Sequence, residues 1–398
     1  MSRTRSADEG IKHATWIVHP LLSALGAWPV NATSSVLSKS LKWCLIFLTY
    51  FLQFAVMIPS TLFVILKVKN GRNRIKLIMP HFNSACQLCK YTVLLRRSNE
   101  FRKLLDDLKE DWSNATKEDQ WILRTKSSIG HKVMLSIGIL IYTGGVSLRT
   151  IIPLLKGKIV LPNNMTIRRL PCPGYFVFFN EQRTPNYEII FVLQVVCGLV
   201  NYTTLCGTVG LCAMLCLHMC SMLRILANRM IELSNQSNTD EKAVQEKVID
   251  IVERQIKIKR FLNNAERITS YFYSIGISDE VIIACILGYC IIMEWENSNV
   301  ASLVTYFLLQ MTNVTTMFTS CYIGQLLIDE ASIVKKVSNT LDWYRLPVKT
   351  ARSLIMIIIT SNCPIKVTAA NIVDMSLATF TDIIKTAMGY FNVLRSTI

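Results

Sequence analysis

Of the chain's 398 residues, 51% are hydrophobic and only 18% charged, with a mean hydropathy of +0.35. Soluble domains carry nearer ~25% charged residues, so the composition excludes an ordinary soluble protein and points to one that crosses a membrane several times. A net charge of +16 would suit a nucleic-acid binder if the bases shared one face, but here they lie between apolar runs, and no nucleic-acid partner is expected.

The start, MSRTRSADEGIKHATWIVHP, is polar and basic without the apolar core of a secretory signal, so the first span is expected to act as its own insertion signal. Reading uncharged stretches in chain order predicts seven spans: Trp43 to Leu66, Leu77 to Leu95, Val133 to Leu155, Ile189 to Leu223, about Ile268 to Met293, Asn297 to Ile328, and a broken last span from Ser353 to Leu394. The fourth and sixth exceed what a bilayer needs, so their helices should continue beyond it on one side. Ahead of the fifth, Val244, Val248, Ile251, Val252, Ile258 and Leu262 recur at helical spacing amid charges, which fits either a solvated helix or a protein contact surface.

Orientation follows from the bases. The N-terminus, Arg96 to Lys132, Arg224 to Arg267 and Lys335 to Lys366 together carry 29 Lys and Arg, and the alternate connections carry 12, with Lys90 and Lys385 inside spans. The positive-inside rule places the first set, and the N-terminus, in the cytosol and the C-terminus outside. On this topology only one of six sequons, Asn164, lies in an outer loop and is the expected glycosylation site. Of 13 cysteines, all but Cys172 and Cys363 fall in or beside apolar runs, where they read as small packing residues; Cys212, Cys216 and Cys220 stack at one-turn intervals, and only those other two are expected to be wet. Cys86 and Cys89 have redox or zinc spacing but no second pair, so neither metal nor cofactor is expected.

The terminal helix carries Asp382 and Lys385 near its middle. Projected at 100° per residue, Thr379, Asp382, Lys385, Thr386, Gly389 and Asn392 share one half, while Phe380, Ile383, Ile384, Ala387, Tyr390, Phe391 and Leu394 fall largely on the other. A central charge costs about 2.5–3.5 kcal/mol on insertion scales, so the polar half should face water or protein. If that helix lines a path, several subunits must surround it.

Several separated motifs are recognisable: LLSALGAWP before the first span, RRLPCPGYFVFFNEQRTPNYEIIFVLQ in the second outer loop, and then SCYIGQLL, LDWYRLP and NCPIKVTAANIVDMSLATFTDIIKTAMGYFNVLRS. In order and spacing they resemble the insect odorant receptors over nearly the whole chain. Gln255 stands where many members carry a His, and Gly389 where a Ser or Thr is common. The chain lacks the long insertion between the fourth and fifth spans that marks the co-receptor, so the resemblance is to a ligand-tuning subunit.

The resemblance implies an all-α membrane protein of seven transmembrane helices acting as the odorant-binding subunit of a ligand-gated, nonselective cation channel. It would form a heterotetramer with the conserved co-receptor, Orco, in the plasma membrane of olfactory neuron dendrites. The expected partners are a small volatile apolar odorant, that co-receptor, membrane lipid and permeant cations. Residues 1–42 would form the cytosolic N-terminus and the helix leading into the membrane, 43–328 spans one to six with a ligand pocket in the outer half, and 329–398 an anchor segment and the pore-lining last span. Matched residue by residue, the outer pore constriction falls near Val393, Ser396 and Thr397, and the polar half of the helix, with Asp382 and Lys385, would face the conduction path or its lining neighbours. The resemblance places the odorant among the outer halves of the second, third, fourth and sixth spans, where Phe82, Tyr142, Val146, Val200, Thr203, Tyr306 and Gln310 are the candidates. A volatile ligand has few polar atoms, so such a pocket should be apolar with one or two orienting groups.

Two other classes compete. A metabotropic seven-helix receptor signalling through a G protein would need the N-terminus outside and a glycan at Asn31 instead of Asn164. A membrane enzyme or transporter is disfavoured by the lack of a His cluster, nucleophile elbow, phosphate loop or inverted repeat.

Overall fold

A computed structural model describes residues 2–29, 35–69, 71–155, 157–160, 166–176, 180–234, 241–296, 300–341 and 348–397. The sequons at Asn31 and Asn164 lie outside these residues. Among the described residues each predicted span falls on helical segments, the last on two. Two short helices, α1 (Ser2–Thr15) and α2 (Val18–Ala24), precede α3 (Val36–Leu66), α4 (Gly71–Arg96), α5 (Ser98–Asn114) and α6 (Lys117–Val146). A π-helical turn (Ser147–Ile151) and α7 (Ile152–Leu155) end the third span, because Pro153 offers no amide to continue an α-helical ladder. Then come α8 (Asn186–Ser234), α9 (Glu241–Glu296), α10 (Val300–Asn339), α11 (Val348–Asn362) and α12 (Leu377–Thr397).

Two antiparallel strand pairs interrupt the helices: Lys158–Val160 with Thr166–Arg168, and Thr368–Ala369 with Val373–Asp374. The second divides α11 from α12, so the last span is broken as expected. Helices α3, α6, α8 and α9 are long and apolar enough to cross a membrane by length and composition. At 1.5 Å per residue, the 49 residues of α8 and 56 of α9 run far beyond the ~30 Å hydrocarbon core. They extend past one end of the bundle, the stalk end, where α5 and α11 pack against α9 and α1 packs on α5 and α6. The opposite, loop end carries residues 157–160, 166–176 and 180–185.

Local chemistry fixes the ends. The Ser35 side chain caps α3 by accepting the Ser38 amide, and Thr116 with Asp119 forms a reciprocal capping box on α6. Gly26 of the GAWP motif ends α2 at φ +67, a conformation that other residues rarely adopt, and the Ala27 amide then donates to the Leu22 carbonyl at 2.8 Å.

The core is built around α8, whose residues from Gly210 to Ser221 are buried without interruption. Small residues permit this: β-carbons at Gly207 and Gly210 would press on Leu22 and Val18 of α2, and Cys212, Cys216 and Cys220 are buried as packing residues. The amphipathic stretch of α9 buries Val244, Val248, Ile251 and Ile258 inside its own chain, leaving Ile249 and Ile256 exposed. Cys172, expected to be wet, is buried at 7% exposure because its loop folds back onto α3 and α8, whereas Cys363 is exposed.

Candidate functional site

Five helices converge on a cavity of ≈ 120 Å³ in the half of the bundle toward the loop end. Helix α4 contributes Met79, Pro80, Asn83 and Lys90; α6 contributes Ile141 and Gly145; α8 contributes Asn201, Tyr202 and Leu205. Helix α10 adds Leu309, Thr312, Asn313 and Thr316, and α9 adds Asp279, Glu280, Ile283 and Leu287. Gly145 makes room for the Tyr202 ring, which a β-carbon there would strike, and the Tyr202 hydroxyl donates to the Gly145 carbonyl at 3.1 Å.

The seven sequence candidates are all half-buried and border this cavity instead of lining it. Phe82, Val146 and Val200 each adjoin a lining residue, Asn83, Gly145 and Asn201. Tyr142 and Thr203 join their hydroxyls at 2.7 Å, and the Tyr142 ring meets Tyr202 edge-on at 6.3 Å, one layer behind the wall. Tyr306 and Gln310 flank Leu309 on α10, and Gln310 Oε1 is buried without a hydrogen-bond partner. One residue is 100° of helix rotation, so a small error of phase moves a side chain from wall to backing layer.

Sequence reasoning passed over α9 as a wall. Its signal was nonetheless present: Asp279 and Glu280 interrupt an otherwise uncharged run from Thr269 to Met293, the same anomaly that singled out Asp382 and Lys385. Helix α9 also connects the cavity to α12. Ile283 and Leu287 face the cavity, while Cys285 Sγ donates to the Ala387 carbonyl at 3.4 Å and Gly288 accommodates the Phe391 ring.

On α12, Ile383 and Ala387 are buried against the chain's own helices, whereas Asp382, Lys385, Thr386, Gly389 and Asn392 are exposed. Lys385 Nζ stands 3.9 Å from Asp382 Oδ1, with both side chains about three-quarters exposed. The polar half of the helix thus turns away from its own bundle. Val393 is also exposed, and Ser396 and Thr397 lie in the last turn of the helix, their side chains outside the described residues.

A larger crevice of ≈ 270 Å³ at the stalk end is lined by charged groups, including Asp111, Asp119, Asp250, Arg254 and Lys257. Asp111 meets His218 Nε2 at 2.9 Å and Lys257 Nζ at 2.7 Å, and Asp119 meets Arg229 at 3.1 Å. Burial pushes the Asp111 carboxyl up, but His218 and Lys257 outweigh it and hold it below its ordinary value. Its charges are largely neutralised within the chain, which suits a structural joint better than an odorant pocket.

The chain resembles curated relatives only distantly. It is 20% identical over 247 residues to odorant receptor 30a of Drosophila melanogaster, covering 60% of this chain and 62% of that one, and 22% identical over 244 residues to odorant receptor 13a of the same fly, covering 57% of each. It thus spans about three-fifths of the length of these relatives. In fold it matches the olfactory receptor OR5 of Machilis hrabei, solved in complex with eugenol, at a TM-score of 0.81 and 14% identity over 99% of this chain and 100% of that one. The family model of the 7tm odorant receptors matches residues 70–388, most of the sequence, and the chain belongs to that family.

Proposed function

We propose that the protein is the odorant-binding subunit of a ligand-gated, nonselective cation channel, formed as a heterotetramer with the conserved co-receptor, Orco, in the plasma membrane of olfactory neurons. The N-terminus and stalk end lie in the cytosol, and the C-terminus outside. The odorant occupies the five-helix cavity, and the exposed polar face of α12, with Asp382, Lys385 and the terminal Val393, Ser396 and Thr397, borders the ion path shared with neighbouring subunits. Family membership supports odorant sensing, and the eugenol bound by the Machilis receptor illustrates the size of ligand such a fold accepts.

The observation that carries this reading is the two-faced use of α9. A ligand pressing on Ile283 and Leu287 acts within two residues of the contacts to Ala387 and Phe391, so an odorant that prefers one placement of α9 also shifts α12. Gating is then a population shift, as large as the ligand's differential affinity for the two arrangements.

Current recording tests it. Cells expressing this chain with the co-receptor should show odour-evoked cation currents that persist when GTP-dependent signalling is blocked, and cells lacking either subunit should lose the odour response. Currents that vanish with the GTP block would overturn the channel reading in favour of a metabotropic receptor.

A further inference from the structure

The polar corner of the cavity has a chemical bias that an apolar pocket does not need. Asp279 and Asn201 line the cavity at 6% and 4% exposure, yet Asp279 Oδ1 and Asn201 Oδ1 accept no hydrogen bond. Gln87, 1% exposed, stands behind them. Its amide donates to Asn83 Oδ1 at 3.1 Å and Asp279 Oδ2 at 3.2 Å, leaving its own Oε1 idle. Buried polar atoms are seldom left unpaired, so the two orphaned oxygens of lining residues, Asp279 Oδ1 and Asn201 Oδ1, mark a place where a donor belongs.

Four of the neighbouring donor groups are already committed. The Asn201 amide donates to Ser84 Oγ at 3.1 Å, the Asn313 amide to the Glu280 carbonyl at 2.9 Å, and the Thr312 and Thr316 hydroxyls to backbone carbonyls one turn back. Lys90 supplies one ammonium against the two carboxyl groups of Asp279 and Glu280. Lys90 and the Asn83 amide remain as donors, while the orphaned oxygens of Asp279 and Asn201 are left to accept.

We propose that the cavity selects ligands whose head group donates hydrogen bonds, an alcohol or a protonated primary amine on an apolar tail, over isosteric ethers that only accept. The inference rests on the cavity being the ligand site. The head group would sit against Asp279 and Asn201, and the tail against Ile141, Leu205, Ile283, Leu287 and Leu309. An ether oxygen placed there would leave the protein's oxygens unsatisfied and face them with a further acceptor, and sites built around a hydrogen bond reject analogues that lack it far more strongly than they sense one methylene.

The test is ligand-dependent thermal stabilisation of the purified full-length chain, a readout that needs binding and not gating. Hexanol and hexylamine should half-saturate at concentrations at least about tenfold below methyl pentyl ether, which has the same number of heavy atoms. Asp279→Asn, which keeps an acceptor and removes the charge, should weaken hexylamine and spare hexanol. Asp279→Leu should reduce the preference of both over the ether to under about threefold. Equal half-saturation by alcohol and ether in the unmodified chain, no stabilisation by either donor, or a preference that survives Asp279→Leu would each overturn the proposal. Leu287→Phe separates the two readings. If it shifts all three ligands while no donor preference exists, the cavity stands as the ligand site and this inference fails; if it shifts none, both fail.

Discussion

Gln194 satisfies both backbone polar groups of Cys172: its side-chain oxygen accepts the Cys172 amide at 3.0 Å, and its amide donates to the Cys172 carbonyl at 2.7 Å. The Ser60 hydroxyl donates to the Pro173 carbonyl at 2.8 Å, and the Tyr175 amide donates to the Pro59 carbonyl at 2.8 Å, so the PCPGY loop is sewn to α3 and α8. Gln194→Ala should orphan two buried groups at a cost of about 1–3 kcal/mol each and free the loop. The check is maleimide labelling: Gln194→Ala should gain a reactive thiol that the double variant with Cys172→Ser lacks.

Three helices meet on Glu330. Lys126 Nζ of α6 lies 2.6 Å from Glu330 Oε1, and Arg224 of α8 brings Nη2 to 2.9 Å from the same oxygen and Nε to 2.9 Å from Oε2. Glu330 on α10 is 5% exposed. Glu330→Ala should destabilise the bundle by roughly 3 kcal/mol, near the low end for breaking a buried pair, because Lys126 and Arg224 retain contact with solvent. A lowered melting temperature in detergent, partly restored by Glu330→Gln, would match this; an unchanged one would show that the triad is incidental.

The docking of α1 should depend on pH. His13 of α1 and His131 of α6 meet with ring centroids 4.6 Å apart and planes tilted by 55°, at the stalk end, outside the spans. Burial, helped by Arg124 beside His13 and by His13 beside His131, holds both imidazoles below their ordinary value. The unfolded or undocked state therefore binds more protons, and the docked state is fully favoured above about pH 6.5 and loses ground as pH falls from there toward the lowered values. Proteolysis within residues 2–15 should accelerate between pH 7.5 and 5.5, and His131→Phe should flatten that dependence.

Gly145 is where cavity size is set. Gly145→Ala should displace the Tyr202 ring and break its hydrogen bond to the Gly145 carbonyl, a strain of about 1–3 kcal/mol typical of overpacking. In a homologous ligand series, dose–response curves should shift to higher concentration more for long members than for short ones. A uniform shift would mean that Tyr202 shapes stability and not ligand size.

How much of this was legible in the sequence varies with the kind of feature. The seven spans were read from uncharged runs, since the cost of placing charge in hydrocarbon is local and additive along a helix. The same arithmetic led to the expectation that Asp382 and Lys385 face water or protein, and the chain's own helices leave both side chains exposed. Gln194 and the glycines of the GAWP and CYIG motifs could be recognised as a pattern, but not their roles. Only the structure shows Gln194 clamping Cys172, and α10 approaching the last-span hairpin so closely that a β-carbon at Gly324 would strike the Met375 carbonyl.

The chain's own residues determined that it is a helical membrane protein with a broken, polar final span, because transfer free energy and helical periodicity need no knowledge of neighbours. Only tertiary structure decided that Asn83, Asn201 and Tyr202 line the cavity while Phe82, Val200 and Thr203 stand behind it, and that α9 adds Asp279 and Glu280 to the wall. The reason is rotational: hydropathy identifies which residues leave water, but which buried face borders a void depends on how five helices turn against one another. That turn is set by contacts between distant residues such as Gly145 with Tyr202.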